Sequence, residues 1–255
     1  MESLKATIAK CQLTLGSWIT LAHPGIAEIM ARAGFDWLAI DLEHSVITIR
    51  EAEDLIRVIA LSGVCPLVRL SANDSVQIKR VMDAGAHGII VPLVNSASDA
   101  VHAVNAVRYP PKGRRGVGLA RAQGYGSAFE SYLEWVREES VVIVQVEHIE
   151  AVNNLESILS VDGVDGFIVG PYDLSGSLGI PGQFDHPSMK DAMGRIRSMG
   201  IDSGRAFGIH VIDPDTEELR QRVDEGFNFI AYSLDIRMLD RACRLGLDAI
   251  RGELR

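Results

Sequence analysis

Residues 141–147 have the sequence VVIVQVE, a nearly continuous run of β-branched apolar residues that ends in a carboxylate. β-Branched side chains favour strands. A strand in which apolar and polar positions do not alternate must be covered on both faces, as in a parallel sheet with helices packed around it. The segment therefore predicts a central parallel strand with Glu147 at its C-terminal end.

Seven further short apolar runs occur along the chain, separated by stretches with apolar residues at helical spacing. Eight strands that alternate with helices favour a parallel sheet closed into a barrel, the (β/α)8 or TIM barrel, which typically needs about 250 residues. We therefore predict an α/β fold in which residues 1–255 form a single (β/α)8 domain. The predicted strands are 12–19, 37–42, 65–70, 88–94, 141–147, 165–170, 205–211 and 228–234.

Polar residues stand at the ends of several of these runs. WLAI is followed by DLEH at 41–44, PLV by Arg69, and GFIVG, after a turn, by Asp173. In a (β/α)8 barrel the active site is built at the C-terminal ends of the strands. The pattern predicts an enzyme whose chemistry comes from these residues.

The composition argues against some classes of partner and indicates where the protein works. A net charge of −9 argues against nucleic acid or an anionic membrane surface as a partner. No apolar stretch approaches the roughly 20 residues of a membrane span, and MESLKATIAKCQ lacks the apolar segment of a signal peptide. Cys11, Cys65 and Cys243 show no CxxC spacing, so we expect free buried thiols in a reducing cytoplasm.

Glu147 and Asp173 are one strand–helix–strand step apart, which places them at neighbouring strand ends. Two adjacent carboxylates repel each other unless a proton or a cation lies between them. Oxygen ligands favour Mg²⁺ or Mn²⁺. The alternative is that both are surface acids or helix caps, with Asp173 capping the helix that PYDLSGS begins. His148, beside Glu147, points to the opposite face of a continuing strand, and we expect it to be structural.

His44 and Arg69 are the other candidates. His44 is a candidate base, because histidine is the side chain type that commonly serves as a general base, and Asp41 or Glu43 would orient it. The alternative is a histidine that caps the loop after the second strand. Arg69, at the end of an apolar run, needs an anion, which is either the substrate or a structural salt bridge to Asp41 or Glu43.

One connection, residues 109–130, is longer than the rest and rich in Gly, Arg and Pro. Its Arg114, Arg115 and Arg121 suit an acidic substrate, or else they are simply solvated. No lysine ends a predicted strand, which argues against Schiff-base chemistry. No GxGxxG follows the first strand, which argues against a dinucleotide cofactor.

Taken together, these residues resemble the HpcH/HpaI aldolase family of class II, metal-dependent pyruvate aldolases. The resemblance covers nearly the whole chain. It rests on AGFDWLAIDLEH at 33–44, PLVRL at 66–70, DSVQIKRVMDAGAHGIIVPLV at 74–94, RYPPKGRRGVG at 108–118, VQVEHIEAVNNL at 144–155 and VDGFIVGPYDLSGSLG at 164–179.

The resemblance implies a TIM barrel of the phosphoenolpyruvate/pyruvate-binding type, with the last helix exchanged between subunits of a homo-oligomer, commonly a hexamer built from trimers. It implies reversible cleavage of a 4-hydroxy-2-oxo acid to pyruvate and an aldehyde, through a pyruvate enolate stabilised by Mg²⁺, Mn²⁺ or Co²⁺. The implied site residues are Glu147 and Asp173 as metal ligands, His44 as the base supported by Asp41, Arg69 at the enolate, Gln145 near the metal, and the backbone of Gly170, Pro171, Tyr172 and Asp173 at the pyruvate carboxylate.

Two positions depart from the commonest family pattern: Tyr172 replaces a small residue, and Leu42 replaces glycine. Tyr172 can reshape the mouth of the pocket, so the aldehyde is left open. Glu43 has no assigned role. Three other functions remain open, namely oxaloacetate decarboxylase, acyl-CoA lyase, and a barrel that binds a keto acid without catalysis.

Overall fold

A computed structural model describes residues 2–253. Its eight parallel strands form a closed barrel in sequence order, each hydrogen-bonded to the next and β8 to β1, which confirms the predicted fold class. That residues 1–255 form one domain stays a prediction. The strands are β1 (Thr14–Ile19), β2 (Trp37–Asp41), β3 (Cys65–Arg69), β4 (Gly88–Val91), β5 (Val141–Val146), β6 (Gly166–Val169), β7 (Ala206–Val211) and β8 (Phe229–Leu234).

Helices connect successive strands, and side-chain caps mark where several of them begin. Thr48 and Glu51 form a capping box at the start of α3, and Asp74 accepts the Gln77 N–H at 2.7 Å at the start of α4. The helices are α1 (Leu4–Ala9), α2 (Pro24–Arg32), α3 (Ile49–Leu61), α4 (Ser75–Ala84), α5 (Ala97–Val107), the 3₁₀ helix η1 (Arg121–Gly126), α6 (Phe129–Glu138), α7 (Ile149–Asn153), α8 (Leu155–Leu159), α9 (Pro171–Ser177), α10 (Pro187–Ser203), α11 (Thr216–Asp224) and α12 (Asp235–Glu253).

All eight predicted strands are present, and β4 differs most from its predicted span. It ends at Val91, whereas the apolar run suggested residue 94. Pro92 has no N–H to continue the sheet, and Leu93 adopts a left-handed φ of 54°. The chain therefore leaves the barrel earlier than its hydropathy indicates.

Large aromatic rings fill the part of the barrel interior near the N-terminal ends of the strands. Trp37 and Phe229 stack with centroids 4.3 Å apart, and neither ring reaches solvent. A Cβ on Gly16 would lie 2.0 Å from the Trp37 ring, so only glycine fits there. Below them α1 closes the N-terminal end, where Lys5 pairs with Asp165 at 2.7 Å. With this end closed by the residues that the structure describes, the interior opens at the C-terminal ends of the strands.

The cysteines differ in part from the expectation that all three thiols are free and buried. All three cysteines are free, but Cys11 and Cys243 are exposed and not buried. Both lie outside the barrel strands, where no core surrounds them. Cys65 is partly buried, and burial raises the pKa of its thiol. Within residues 2–253 no helix is long and apolar enough to cross a membrane.

Candidate active site

The C-terminal ends of the strands surround a cavity of about 370 Å³. Side chains at alternate strand positions face the barrel interior. This parity brings Asp41 of β2, Arg69 of β3, Gln145 of β5 and His210 of β7 to the same cavity. Four strands that are far apart in sequence thus contribute polar groups to one site.

Asp41 and Arg69 form a two-pronged ion pair between neighbouring strands. Arg69 Nε donates to Asp41 Oδ1 at 2.9 Å and Nη2 donates to Oδ2 at 2.7 Å. The guanidinium also lies 4.3 Å from the centroid of the Trp18 ring. Burial alone would raise the pKa of Asp41, but the hydrogen bonds and charge of Arg69 hold it below its usual value. The pair is a fixed, ionised feature of the site.

His44 lies in the loop after β2, with its side chain 62% exposed at the rim of the cavity. Its backbone N–H donates to Asp41 Oδ1 at 3.2 Å. The carboxylate nearest to the imidazole belongs to Glu43, with Oε2 3.8 Å from Nε2. Asp41 therefore holds the backbone of His44, and Glu43 is the acid placed to orient its ring.

An amide links two buried carboxylates on the other side of the cavity. Gln145 Nε2 donates to Glu43 Oε2 at 3.2 Å and also to Glu147 Oε2. Glu147 Oε1 accepts the Leu93 N–H at 2.7 Å, an amide turned inward by the left-handed conformation after β4. Glu43 also lies 3.4 Å from Arg69 Nε, so it joins the two sides of the site.

These acids are held where ionisation is unfavourable. Burial raises the pKa of Glu147, and the negative charge of Asp173 adds to the rise. Burial also raises the pKa of Glu43, with Arg69 opposing the rise and Glu147 adding to it. A bound cation or proton would relieve this repulsion.

Asp173 reaches the site from the first turn of α9. Gly170, not Asp173, is the residue before this helix, so the alternative that Asp173 caps it does not hold. A Cβ on Gly170 would lie 3.1 Å from Glu147 Cβ and 3.2 Å from Glu147 Oε2. The missing side chain lets the turn approach Glu147. The N–H groups of Tyr172 and Asp173 lie in the first helical turn, where they have no intrahelical acceptor.

Tyr172 and several apolar residues form the outer part of the cavity. Its side chain is 56% exposed, and its ring meets Phe184 edge-on with centroids 4.9 Å apart. Ile212, Leu234, Ile236 and Arg237 line the same rim. Arg237 is already paired with Asp213 through a hydrogen bond of 3.1 Å from Nε.

His148 is structural, as predicted: its Nδ1 accepts the Glu150 N–H at 3.2 Å and caps α7. The arginines of the long connection do not reach this cavity. The segment follows a helix and precedes β5, which places it at the N-terminal end of the barrel. Arg115 is buried and donates to Asp83 at 2.6 Å, so it is neither solvated nor near the site.

Arg121 donates to the Ala84 carbonyl at 2.9 Å, also at the N-terminal end, and Arg114 is exposed. The expectation that these arginines meet an acidic substrate is therefore wrong for the site within one chain. Their charge pattern alone could not show which end of the barrel the segment lies on. The alternation of strands and helices does show it.

Sequence reasoning missed His210. The strand 205–211 was predicted, and position 210 has the same parity as the buried Ala206 and Gly208. Counting inward positions along that strand would have placed an imidazole inside the barrel near its C-terminal end.

Comparisons with known proteins agree with this geometry. Residues 14–242 match the model of the family described as HpcH/HpaI aldolase/citrate lyase. The chain is 40% identical to a hydroxypyruvate/pyruvate aldolase of Sagittula stellata over 93% of both chains. It is 40% identical to a 4-hydroxy-2-oxo-heptane-1,7-dioate aldolase of Escherichia coli, over 94% of this chain and 92% of the relative.

A solved structure of an HpcH/HpaI aldolase/citrate lyase family protein from Burkholderia cenocepacia superposes with a TM-score of 0.92. It is 37% identical and covers 97% of this chain and 98% of its own. The matched region includes every strand and every candidate site residue. The protein described here belongs to the HpcH/HpaI aldolase/citrate lyase family.

Proposed function

We propose that this protein is a class II aldolase, a carbon–carbon lyase that reversibly cleaves a 4-hydroxy-2-oxo acid to pyruvate and an aldehyde. The observation that carries the proposal is the arrangement of charge in one cavity. Glu147, whose ionisation is opposed by burial and by Asp173, lies across from the ionised Asp41–Arg69 pair. Such a site suits a substrate that must be held beside positive charge while an enolate forms.

A divalent cation fits the acidic side of the cavity. Glu147 and Asp173 offer carboxylate oxygens, and Gly170 leaves open the space that a Cβ would fill beside Glu147 Oε2. Among the described residues no three His, Cys, Asp or Glu side chains converge as a complete ligand set. Mg²⁺ commonly uses one or two carboxylates, with water and substrate oxygens as its other ligands. When bound, Mg²⁺, Mn²⁺ or Co²⁺ would supply Lewis-acid stabilisation of negative charge on the substrate keto oxygen.

The protein's own groups would hold the pyruvate unit. Arg69 is fixed by Asp41 and Trp18 with its positive charge beside the cavity, where it would stabilise the developing enolate oxygen. The backbone of Gly170, Pro171 and Tyr172 would hold the carboxylate. The free N–H groups of the first turn of α9 suit an anion. Gln145 would keep Glu147 oriented through the amide hydrogen bond.

His44 would move the proton. In the cleavage direction a base removes the proton from the C4 hydroxyl, and the C3–C4 bond then breaks to release the aldehyde. The imidazole lies at the rim, where solvent can carry the proton away. Glu43, 3.8 Å from Nε2, would orient the ring. Of the two acids that the sequence offered for this role, Asp41 and Glu43, the distance favours Glu43.

Two relatives narrow the range of substrates worth testing. Their names indicate hydroxypyruvate or pyruvate for one relative and 4-hydroxy-2-oxo-heptane-1,7-dioate for the other. Tyr172 at the rim, backed by Phe184, would favour a short aldehyde over a long one. The aldehyde is therefore best sought first among short compounds.

The proposal is tested by measuring pyruvate release from a 4-hydroxy-2-oxo acid and, separately, from oxaloacetate. We expect aldol cleavage that EDTA abolishes and that Mg²⁺, Mn²⁺ or Co²⁺ restores. Release from oxaloacetate alone would replace the aldolase with a decarboxylase. Binding of pyruvate without turnover of any aldehyde would replace it with a keto-acid-binding barrel.

We further propose that the protein works in the cytoplasm as a homo-oligomer, a trimer or a hexamer built from trimers, with α12 exchanged between subunits. Apolar residues of α12 that are more than half exposed support this: Leu239, Leu245, Leu247 and Ile250. Exposed apolar residues along one helix favour association. The mass in solution tests the proposal, and a monomer at micromolar concentration would contradict it.

A further inference from the structure

His210 is a partly buried imidazole in the site that the proposed reaction does not use. It lies at the inward-facing fifth position of β7 and lines the same cavity as Asp41, Arg69 and Asp173. Its ring meets Trp18 edge-on, with centroids 5.7 Å apart, and Trp18 in turn lies against Arg69. Packing thus fixes the imidazole beside the guanidinium that would face the substrate.

A bulge in β8 determines which ring nitrogen carries the proton. The pairing of β1 with β8 shifts register between Gly16 and Trp18, and Ser233 adopts a left-handed φ of 54°. The Ser233 carbonyl lies 3.3 Å from His210 Nε2. A carbonyl can only accept a hydrogen bond, so Nε2 is the protonated nitrogen and Nδ1 keeps its lone pair.

The bulge is held in place by further hydrogen bonds. Ser17 Oγ donates to the same Ser233 carbonyl at 3.0 Å, and Ser233 Oγ donates to the Ile212 carbonyl at 2.9 Å. Bulges beside active sites commonly redirect a group toward the site. Here the redirected carbonyl fixes the tautomer of the imidazole.

Nδ1 is left as an acceptor. The bond to Ser233 is the only hydrogen bond of the His210 ring within residues 2–253. Burial, together with the positive charge of Arg69, lowers the pKa of His210 to about 4, so the ring is neutral near pH 7. The Trp18 indole N–H is also buried without a partner in the same described region. That N–H is enclosed, so the group left for a substrate hydroxyl is Nδ1 of His210, whose ring lines the cavity.

We propose that His210 is a specificity-determining residue whose Nδ1 accepts a hydrogen bond from a substrate hydroxyl. The inference rests on the proposed aldolase function and goes beyond it. The preferred substrates would carry a hydroxyl beyond those that the reaction itself requires. That hydroxyl is either on the keto-acid donor, as in hydroxypyruvate, or next to the aldehyde group of the acceptor.

Two pairs of substrates that differ by one hydroxyl test the proposal. Glycolaldehyde is compared with acetaldehyde as acceptor for pyruvate, and hydroxypyruvate is compared with pyruvate as donor to acetaldehyde. In the wild type we expect the hydroxylated member of one pair to have the higher kcat/KM. The pair that shows the preference identifies which substrate carries the hydroxyl.

Two substitutions separate the ring nitrogens. His210→Gln places a donor where Nε2 stood, so it keeps the contact with Ser233 and loses the acceptor at Nδ1. His210→Asn places a polar atom near Nδ1 and loses the contact with Ser233. We expect His210→Gln to lower the hydroxyl preference about tenfold, the typical value of one hydrogen bond, and His210→Asn to retain more of it. His102→Gln, at an exposed position of α5, is the control.

Thermal unfolding of each variant shows whether it folds. A purely structural His210 would lower the rates with both members of a pair equally, and an unchanged preference in a folded His210→Gln would overturn the proposal. No hydroxyl preference in an active wild type would also overturn it. A wild type without aldol activity on any pair would instead contradict the proposed function.

Discussion

The two sides of the cavity differ in whether their buried carboxylates have a positively charged partner. On the β2–β3 side, Asp41 meets Arg69 through two hydrogen bonds, and both groups are ionised. On the β5–β6 side, Glu147 faces Asp173 and has a neutral amide from Gln145 as its side-chain partner. The first side is complete within the chain, whereas the second has negative charge without a matching cation. A buried ion pair fixes geometry, and an unmatched acid pair favours binding of a cation from solution.

Removing the charge of Glu147 tests the acidic side and has the largest expected effect. Glu147→Gln should lower aldol cleavage by about 10³-fold or more, since a metal contributes several kcal/mol to stabilising such charge. Without metal the variant should be at least as stable as the wild type, because burial already opposes ionisation of Glu147. Activity and thermal unfolding with and without Mg²⁺ measure both effects.

The control for this change is Glu150→Gln, an exposed acid three residues along the chain. It should leave activity and the stabilisation by Mg²⁺ unchanged. A Glu147→Gln protein that is still stabilised by Mg²⁺ and still active would place the cation elsewhere.

A substitution of His44 tests the proton transfer from the C4 hydroxyl. His44→Ala should slow aldol cleavage by about 10²–10⁴, the usual contribution of a general base. Pre-steady-state release of the aldehyde measures the step directly, and His102→Ala is a matched exposed histidine. A rate near that of the wild type would remove His44 from the mechanism.

Arg69→Lys tests the role of the two-pronged ion pair between Arg69 and Asp41. Lysine keeps the positive charge but cannot form the two-pronged contact with Asp41, so its ammonium would lie in a different place. We expect a loss of about 10²–10³ in kcat, comparable to removing one donor to a developing oxyanion. The rate of hydrogen–deuterium exchange at the pyruvate methyl group should fall with it, and unchanged exchange would mean that Arg69 does not act on the enolate.

The pH dependence of folding stability is a smaller test, and it concerns His210 of β7, whose ring is influenced by the charge of Arg69. Burial and the charge of Arg69 lower the pKa of His210 to about 4, while the Ser233 carbonyl and Asp41 oppose the shift. Below pH 6.5 His210 becomes protonated in the unfolded chain but stays neutral in the folded chain until about pH 4. The free energy of unfolding should therefore fall as the pH is lowered from 6.5 to 4. The loss should reach about 3 kcal/mol.

Denaturant unfolding of the metal-free protein at each pH measures this loss. Subtracting the curve of His210→Asn isolates the histidine from the carboxylates that titrate in the same range. Parallel curves for the two proteins would show that His210 is protonated in the folded state.

The sequence predicted the barrel because strand periodicity and length are local properties. VVIVQVE is buried from end to end, and its Gln145 lines the cavity. The choice of ion-pair partner for Arg69 could not be predicted in the same way. Asp41 and Glu43 are two residues apart, and both lie near Arg69, but only the three-dimensional arrangement assigns the two-pronged pair to Asp41.

Arg115 shows the same limit outside the site. Its partners Asp83 and Tyr132 are 32 and 17 residues away in sequence. A Gly- and Arg-rich segment has the composition of a solvated loop, and nothing local indicates that one arginine is buried between two helices. Long-range partners, which decide whether a charge is exposed, are not visible in a local pattern.

The most direct test of the account is hydrogen–deuterium exchange at the methyl group of pyruvate, measured by NMR without any aldehyde present. This reports enolate formation alone, at the place where the acidic side and Arg69 meet. The account predicts exchange with Mg²⁺, loss of exchange after exhaustive chelation, and recovery when Mg²⁺ is returned to the wild type but not to Glu147→Gln. Full exchange in the chelated protein would contradict the claim that the acidic side works by holding a cation.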